Sequence, residues 1–217
     1  IDTPPEHYID GKRSYLSFKF TVSTGNVSFS GGSAMNIFRR CQVISRQGDI
    51  LDDLNSLGFY SNYKDHTQKS STYTDGQSMG GLKGYDNVDD DFEYQIDLKD
   101  FSQLFNRPRL PLELTQGMTI RLEVDDSYKI FVSDSDDTKI TVAEVRLNLK
   151  AHHGGTQKPP QKMFFQSYKT YHKNYQRQGE FNFPYKLTKC QQAIGFVQPR
   201  LNNLTQKFSF DYATAGY

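Results

Sequence analysis

Apolar and polar residues alternate along much of the chain, and this alternation predicts β-strands. A clear example runs from Met118 to Val124, where apolar side chains occupy every second position and Thr, Arg and Glu lie between them. A period of two is typical of a strand with one buried and one solvated face. The same pattern predicts strands at residues 16–22, 37–45, 92–98, 128–132, 140–149, 181–187 and 193–197.

The alternation changes parity once, within residues 140–149. Val142 falls on one face of the predicted strand, whereas Val145 falls on the other. A β-bulge near Ala143 and Glu144 would explain the change within a single strand, and two abutting strands are the alternative. The bulge is the favoured interpretation.

Helical spacing of apolar residues occurs at three places. It predicts a short helix at residues 101–105 with Asp100 as its N-cap, and an amphipathic helix that follows Gly48-Asp49 and ends at Gly58. A third helix is predicted within residues 163–175. The residues that set the spacing are Phe101, Leu104 and Phe105 in the first helix, Ile50, Leu51, Leu54 and Leu57 in the second, and Phe164, Tyr168, Tyr171 and Tyr175 in the third.

The chain is predicted to contain an N-terminal arm at residues 1–13 and one main domain at residues 14–200. Within the main domain, residues 62–91 are rich in Ser, Thr, Gly and Asp and poor in aliphatics, which predicts a long exposed loop. Another alternation begins at Phe208 and has no partner segment after it. We therefore expect residues 201–217 to be a linker and the start of a second domain.

Composition supports an all-β fold. The chain has 217 residues with 14 Tyr, 16 Phe and no Trp, and aromatic residues in short alternating runs are typical of strands. About eight strands with long connections and one to three short inserted helices predict a β-sandwich of two antiparallel sheets with Greek-key topology, that is, a jelly roll. Its predicted core contains Leu16, Phe18, Phe20, Ile120, Leu122 and Leu147.

Net charge, apolar run length and cysteine content argue against some classes of protein. The net charge is +1, whereas a basic nucleic-acid-binding protein normally carries a large positive excess, so direct nucleic-acid binding is not predicted. No apolar run approaches the ~18 residues that a membrane-spanning helix needs. Cys41 and Cys190 lie in or beside apolar strands and are predicted to remain buried free thiols.

Residues that could bind metals are sparse. His152 and His153 are adjacent, and neighbouring residues of a strand point to opposite faces, so the pair is not expected to share a metal ion. Aspartates clustered at turns offer oxygen ligands for Ca²⁺, but such carboxylates usually cap backbone amides. We therefore predict no metal site. The clustered aspartates are Asp89, Asp90, Asp91, Asp125, Asp126, Asp134, Asp136 and Asp137.

Catalytic signatures are also missing from the sequence. It contains no nucleophile elbow, phosphate-binding loop or dinucleotide fingerprint. Two carboxylates facing one groove could hydrolyse glycosides, but Glu123 and Glu144 fall on solvent-facing strand positions. Nothing distinguishes Glu113 and Glu180 from ordinary surface charge. The prediction is therefore a protein that is not an enzyme, without catalytic or cofactor-binding residues.

Basic residues are interleaved with aromatic residues within 158–177. Such a segment could bind nucleic acid through phosphate contacts and stacking, or could be the outer face of a helix that packs by its aromatic side chains. Packing, in a contact between subunits, is the favoured interpretation. The basic residues are Lys158, Lys162, Lys169, Lys173 and Arg177.

Three stretches carry a family resemblance: DLKDFSQLFNRPRLPLELTQGMTIRLEV at residues 97–124, YIDGKRSYLSFKFTV at residues 8–22, and GSAMNIFRRCQVISRQGDILDDL at residues 32–54. Together they resemble the first jelly roll of the double-jelly-roll major capsid proteins of virophages and Polinton (Maverick)-type elements. The short helix, the Pro-Leu segment and the G-x-x-I-x-L strand carry the similarity, which spans residues 8–150.

The resemblance implies a structural protein of the virion. Such proteins form homotrimeric, pseudo-hexagonal capsomers that tile an icosahedral shell around double-stranded DNA, together with penton and minor capsid proteins. Two alternatives remain: a carbohydrate- or receptor-binding β-sandwich of a virion surface, and a single-jelly-roll penton protein. For self-association, the expected exposed aromatic residues are Tyr60, Tyr63, Tyr73, Tyr85, Tyr168 and Tyr171.

Overall fold

The computed structural model describes residues 7–23, 27–29, 34–58, 60, 93–110, 117–125, 131–133, 137–153 and 164–170. These residues form antiparallel sheets with very little helix, which confirms the predicted all-β sandwich. The strands are β1 (His7–Ile9), β2 (Tyr15–Val22), β3 (Val27–Phe29), β4 (Phe38–Ile44), β5 (Ile50–Asn55), β6 (Tyr94–Asp97), β7 (Thr119–Val124), β8 (Phe131–Ser133), β9 (Ile140–Asn148) and β10 (Ala151–His153).

Two three-stranded sheets form the sandwich, with the strand orders β6-β2-β9 and β5-β4-β7. Two smaller pairs, β1-β10 and β3-β8, complete the described sheets. In the first sheet Leu16 lies opposite Ile96, and in the second Cys41 lies between Leu54 and Leu122. Because alternate residues point to the same side of a strand, these rows give each sheet one apolar inner face.

The core lies between these inner faces. Phe18 of β2 meets Phe38 of β4 edge to face, with ring centroids 5.8 Å apart, so this pair joins the two sheets directly. Leu16, Phe18 and Phe20 are buried, which confirms their predicted place in the core. Ile120 and Leu122 are partly buried and pack against it.

Leu147 does not share this burial, and its assignment to the core is wrong. It lies opposite Leu16 on the inner face of its sheet, yet 41% of its surface is exposed. The reason is its position on β9, the outer strand of the described β6-β2-β9 sheet. Alternation fixes the face on which a residue lies but not how far the opposite sheet extends over it.

The predicted helix after Gly48-Asp49 is wrong, because residues 50–55 form strand β5, which pairs with β4. Gly48 has φ of +92°, a conformation that glycine adopts without strain, and its N–H donates to the carbonyl of Ser45. A tight turn therefore connects β4 to β5. Ile50 and Leu54 share strand parity as well as helical spacing, so local spacing alone could not decide between the two.

The predicted short helix near residue 101 is confirmed as a helical segment, although its start was assigned wrongly. An α-helix, α1, spans Leu98–Phe101, and a 3-10 turn follows at Gln103–Phe105. Asp97, not Asp100, occupies the N-cap position of α1, while the Ser102 side chain caps the 3-10 turn by accepting from the N–H of Leu104. The apolar residues that predicted the segment are all buried: Phe101, Leu104 and Phe105.

The predicted bulge in residues 140–149 is confirmed. Pairing between β2 and β9 shifts from Ser17 opposite Arg146 to Lys19 opposite Ala143, so β9 carries one extra residue between these points. Glu144 lies in this interval with φ of +49°. One continuous strand therefore presents apolar residues of both parities.

Residues near both ends of the 7–153 region form regular structure that was not predicted from the sequence. Residues 7–13, assigned to an N-terminal arm, form β1 and a 3-10 turn at Gly11–Arg13, and Ile9 is buried. Gly11 is needed there because a Cβ atom would lie 2.4 Å from the carbonyl oxygen of Phe105. His152 and His153 belong to β10.

Residues 164–170, predicted as part of a helix, have no regular secondary structure, so that prediction is wrong for this segment. Several other predicted elements lie outside the described residues. They are the 62–91 loop, the strands at 181–187 and 193–197, and the second-domain start at 201–217.

Candidate functional site

A charged network covers the outer face of the β5-β4-β7 sheet. Between β4 and β7 the register shifts, so that Arg39 and Arg40 both lie opposite Glu123. Arg40 donates to both carboxylate oxygens of Asp53 at 2.8 Å and also approaches Glu123 at 3.4 Å. Arg39 Nη2 lies 3.0 Å from the second oxygen of Glu123. The bulge thus allows two cations to share one carboxylate.

The network fixes the charge of its acidic members. Hydrogen bonds from Arg40, and its positive charge, hold the pKa of Asp53 below its ordinary value. Hydrogen bonding from Arg39, aided by the charge of Arg40, likewise lowers the pKa of Glu123. In turn, bonding to Asp53 raises the pKa of Arg40. A carboxylate held ionised and paired is poorly suited to act as a general acid.

A second polar group, Asp52, lies on the inner face of the same sheet and is buried. Its carboxyl oxygens accept hydrogen bonds from the hydroxyl groups of Ser102 and Ser167, each at 2.5 Å, and from the N–H of Asp53 at 3.1 Å. Among the described residues, no lysine, arginine or histidine forms an ion pair with Asp52. Three neutral donors therefore satisfy this buried carboxyl group.

Cys41 and Tyr168 lie beside this group. Cys41 is fully buried, and desolvation together with the charges of Asp52 and Asp53 raises the pKa of its thiol to about 12. The Tyr168 ring contacts the Tyr60 ring, with centroids 3.8 Å apart. Burial, followed by the proximity of Tyr60, Cys41 and Asp52, raises the pKa of the Tyr168 hydroxyl well above its ordinary value. We name Cys41, Asp52, Tyr60 and Tyr168 the buried cluster.

The chain segment 164–170, which we name the strap, closes the side of the sandwich over this cluster. At one end, the Phe164 carbonyl accepts a hydrogen bond of 2.7 Å from Arg107. At the other, Lys169 donates to the Asp53 carbonyl and Thr170 to the Asn55 carbonyl. The strap therefore runs along the edge of β5.

The strap also changes the predicted role of its aromatic residues. Tyr168 was expected to be exposed on a helix, but it is half-buried and its hydroxyl oxygen is enclosed. Tyr60, also expected to be exposed, is half-buried against it. Phe164 is instead the exposed aromatic residue of the strap, with 79% of its surface accessible.

Apolar side chains are also exposed on the outer strands β7 and β9. Val145 is 59% exposed, Leu147 41% and Val124 52%. Helix α1 follows β6, and the adjacent Ser102 contacts Asp52 of β5, so β5 and β6 lie on one side of the sandwich. Because β2 faces β4, the strands β7 and β9 then lie on the other side. This side, with Val124, Val145 and Leu147, is named the apolar side.

The two adjacent histidines lie on β10, beside Tyr8 of β1. His152 stacks on Tyr8 with ring centroids 5.2 Å apart, and its Nε2 lies 3.8 Å from an oxygen of Asp10, whereas His153 is exposed. The Arg109 guanidinium also lies over the Tyr8 ring, 4.8 Å from its centroid. His152 thus helps to hold β1 against β10.

The charged residues considered as sites are scattered among the described residues. Glu144 is exposed and pairs with Lys19 and Arg146, and Lys169 belongs to the strap. No group of three His, Cys, Asp or Glu side chains in the described ranges is arranged to hold a metal ion. The remaining candidates lie outside those ranges: Cys190, Glu113, Glu180, Lys158, Lys162, Lys173, Arg177, Tyr63, Tyr73, Tyr85, Tyr171, Asp89, Asp90, Asp91, Asp126, Asp134 and Asp136.

Asp52 and the strap were not among the sites predicted from the sequence. Asp52 stands beside Asp53 in an alternating stretch, and its buried position depends on serines 50 and 115 residues away. No local pattern could have revealed those partners.

No protein-family model, curated protein or solved structure matches the chain. Among the described elements, none is a helix with the length and apolar character required to cross a membrane.

Proposed function

We propose that this protein is a structural capsid protein whose work is self-association into the shell of a virion. The observation that carries the proposal is the apolar side, where Val124, Val145 and Leu147 remain exposed in the single chain. Apolar patches that stay exposed on a folded domain mark sites of interaction with other molecules. The sequence resemblance to double-jelly-roll major capsid proteins supplies the class of assembly, namely homotrimeric capsomers in an icosahedral shell.

Charge distribution supports association between identical copies. Several charged side chains on the outer faces are neutralised within the subunit, as in the Arg40–Asp53 pair and the Lys19–Glu144 pair. The net charge of the whole chain is +1. Copies can therefore approach one another without strong mutual repulsion.

Contacts between copies are expected to form through side chains rather than by addition of strands at β9. The edge of β9 carries a bulge at Glu144, and this residue pairs with Lys19 at 3.4 Å and Arg146 at 3.1 Å. Bulges and charged side chains on an outer strand hinder pairing with another chain. The apolar side chains beside the bulge remain free to be buried.

The proposal is tested by measuring the molar mass of the protein over a range of concentrations by light scattering. We expect a trimer that dissociates when Val145 and Leu147 are both replaced by Asp. A matched variant carries Thr141→Asp and Ala143→Asp, which places the same two charges elsewhere on β9. It should retain the trimer or shift it much less.

Electron microscopy of the concentrated protein then distinguishes shells from smaller assemblies. A strictly monomeric species at every concentration would contradict the proposal. If that monomer also bound sugars on a glycan array, the carbohydrate-binding alternative would be supported instead.

A further inference from the structure

The strap is attached to β5 by side chains rather than by a ladder of backbone hydrogen bonds. Ser167 reaches Asp52, Lys169 reaches the Asp53 carbonyl and Thr170 reaches the Asn55 carbonyl. The last two of these bonds are exposed to solvent. Single hydrogen bonds of this kind contribute little net free energy, because water replaces them when they break. The strap is therefore held far less firmly than the paired strands beneath it.

Two groups in the buried cluster are poorly solvated while the strap is closed. The Tyr168 hydroxyl is enclosed and has no hydrogen-bond partner among the described residues. Asp52 is buried with only neutral donors around it. The unpaired Tyr168 hydroxyl opposes the closed state, and contact with water on opening would relieve its burial. Packing of Phe165 and Tyr168 against the core acts in the other direction and favours closure.

We propose that the strap, residues 164–170, is a releasable cover that opens while the two sheets remain folded. Opening would uncover the edge of β5 and give water access to Cys41. An uncovered outer strand is a surface on which another chain can add a strand.

The thiol of Cys41 reports the opening, because it is completely buried in the closed state. The experiment uses the full chain carrying Cys190→Ser, so that only Cys41 can react. Labelling by a maleimide or by a disulfide reagent is followed at pH 8 together with circular dichroism. We expect slow labelling that goes to completion while the β signal stays native.

Two strap variants should change the labelling rate in opposite directions. Thr170→Val removes the bond to Asn55, and labelling should become about fivefold faster, as expected for the loss of one hydrogen bond. Tyr168→Phe removes the enclosed hydroxyl without changing the ring, so labelling should become about fivefold slower. Thr141→Val, the same change at an exposed position on β9, should leave the rate unchanged.

Urea separates strap opening from global unfolding. Local opening exposes little surface, so the labelling rate should depend only weakly on low urea concentrations. A rate that follows the full unfolding transition would overturn the proposal. Faster labelling of the Tyr168→Phe variant would also overturn it, because the hydroxyl would then stabilise the closed strap. If any variant failed to fold, the urea dependence of the parent protein would still decide the question.

Discussion

The contact between Phe18 and Phe38 offers the most direct test of the sandwich. Phe18 is completely buried and lies near three aromatic rings, those of Phe20, Phe38 and Tyr94, with centroid separations of 5.5, 5.8 and 6.2 Å. Replacement by Ala removes the ring from the centre of the core and leaves a cavity. We expect Phe18→Ala to lower the free energy of unfolding by about 3–5 kcal/mol.

That loss is a large fraction of the ~5–15 kcal/mol by which folded domains are usually stable. Urea denaturation followed by circular dichroism measures it. The matched control is Phe164→Ala, the same substitution at a side chain that is 79% exposed, which should change the stability by less than about 0.5 kcal/mol. If both variants unfolded at the urea midpoint of the parent protein, Phe18 would not lie between the two sheets.

A double-mutant cycle isolates the contact between the sheets. Phe18→Ala and Phe38→Ala are measured singly and together, and the edge-to-face geometry predicts a coupling free energy of about 0.5–1.5 kcal/mol. Residues that do not touch give nearly additive effects. A coupling of zero would refute the packing of β2 against β4, even if each single variant were destabilised.

Three further predictions follow from the described geometry. Asp53 and Glu123 have lowered pKa values in the folded state, so their stabilising contribution is full above the unfolded pKa of about 4 and is lost as the pH falls through the lower folded values. The urea concentration at the unfolding midpoint should therefore decrease when the pH is lowered below about 4. This decrease should be less steep in Asp53→Asn. Gly11→Ala should lower stability by about 2 kcal/mol because its Cβ would meet the Phe105 carbonyl, whereas Gly48→Ala should lower it by about 1 kcal/mol through its positive φ alone, both measured by urea denaturation. Cys41 and Cys190 should both be alkylated in the unfolded protein without prior reduction, and mass spectrometry that instead found a linked peptide would contradict the free thiols.

The strands of the core could be predicted because their side chains alternate over long uninterrupted runs. Residues 16–22 and 118–124 have one apolar face each, and a period of two is incompatible with a helix. The bulge at Glu144 was also predictable, because a change of parity within one apolar run requires an extra residue. In these segments the sequence pattern and the tertiary packing impose the same constraint.

Strand β5 and the strap could not be predicted, for two different reasons. Ile50 and Leu54 are four residues apart, a spacing that suits both one helical face and one strand face, and pairing with β4 decides between them. In the strap, Phe164 and Tyr168 also have helical spacing, but one is exposed and the other half-buried. The strap is fixed by bonds to Asp52, Asp53 and Asn55, more than 100 residues earlier in the chain.

The outer strands of the two larger sheets differ in how their edges are protected, and this difference bears on how copies could meet. Within the described part of the chain, β5 is covered by the strap, β9 has a charged bulge, and β6 is only four residues long before α1 begins. Each of these features hinders strand addition. The remaining outer strand, β7, is a regular six-residue strand that ends at the exposed Val124. Since β7 borders the apolar side, contact through Val145 and Leu147 would bring a second copy to the outer strand with the least protection.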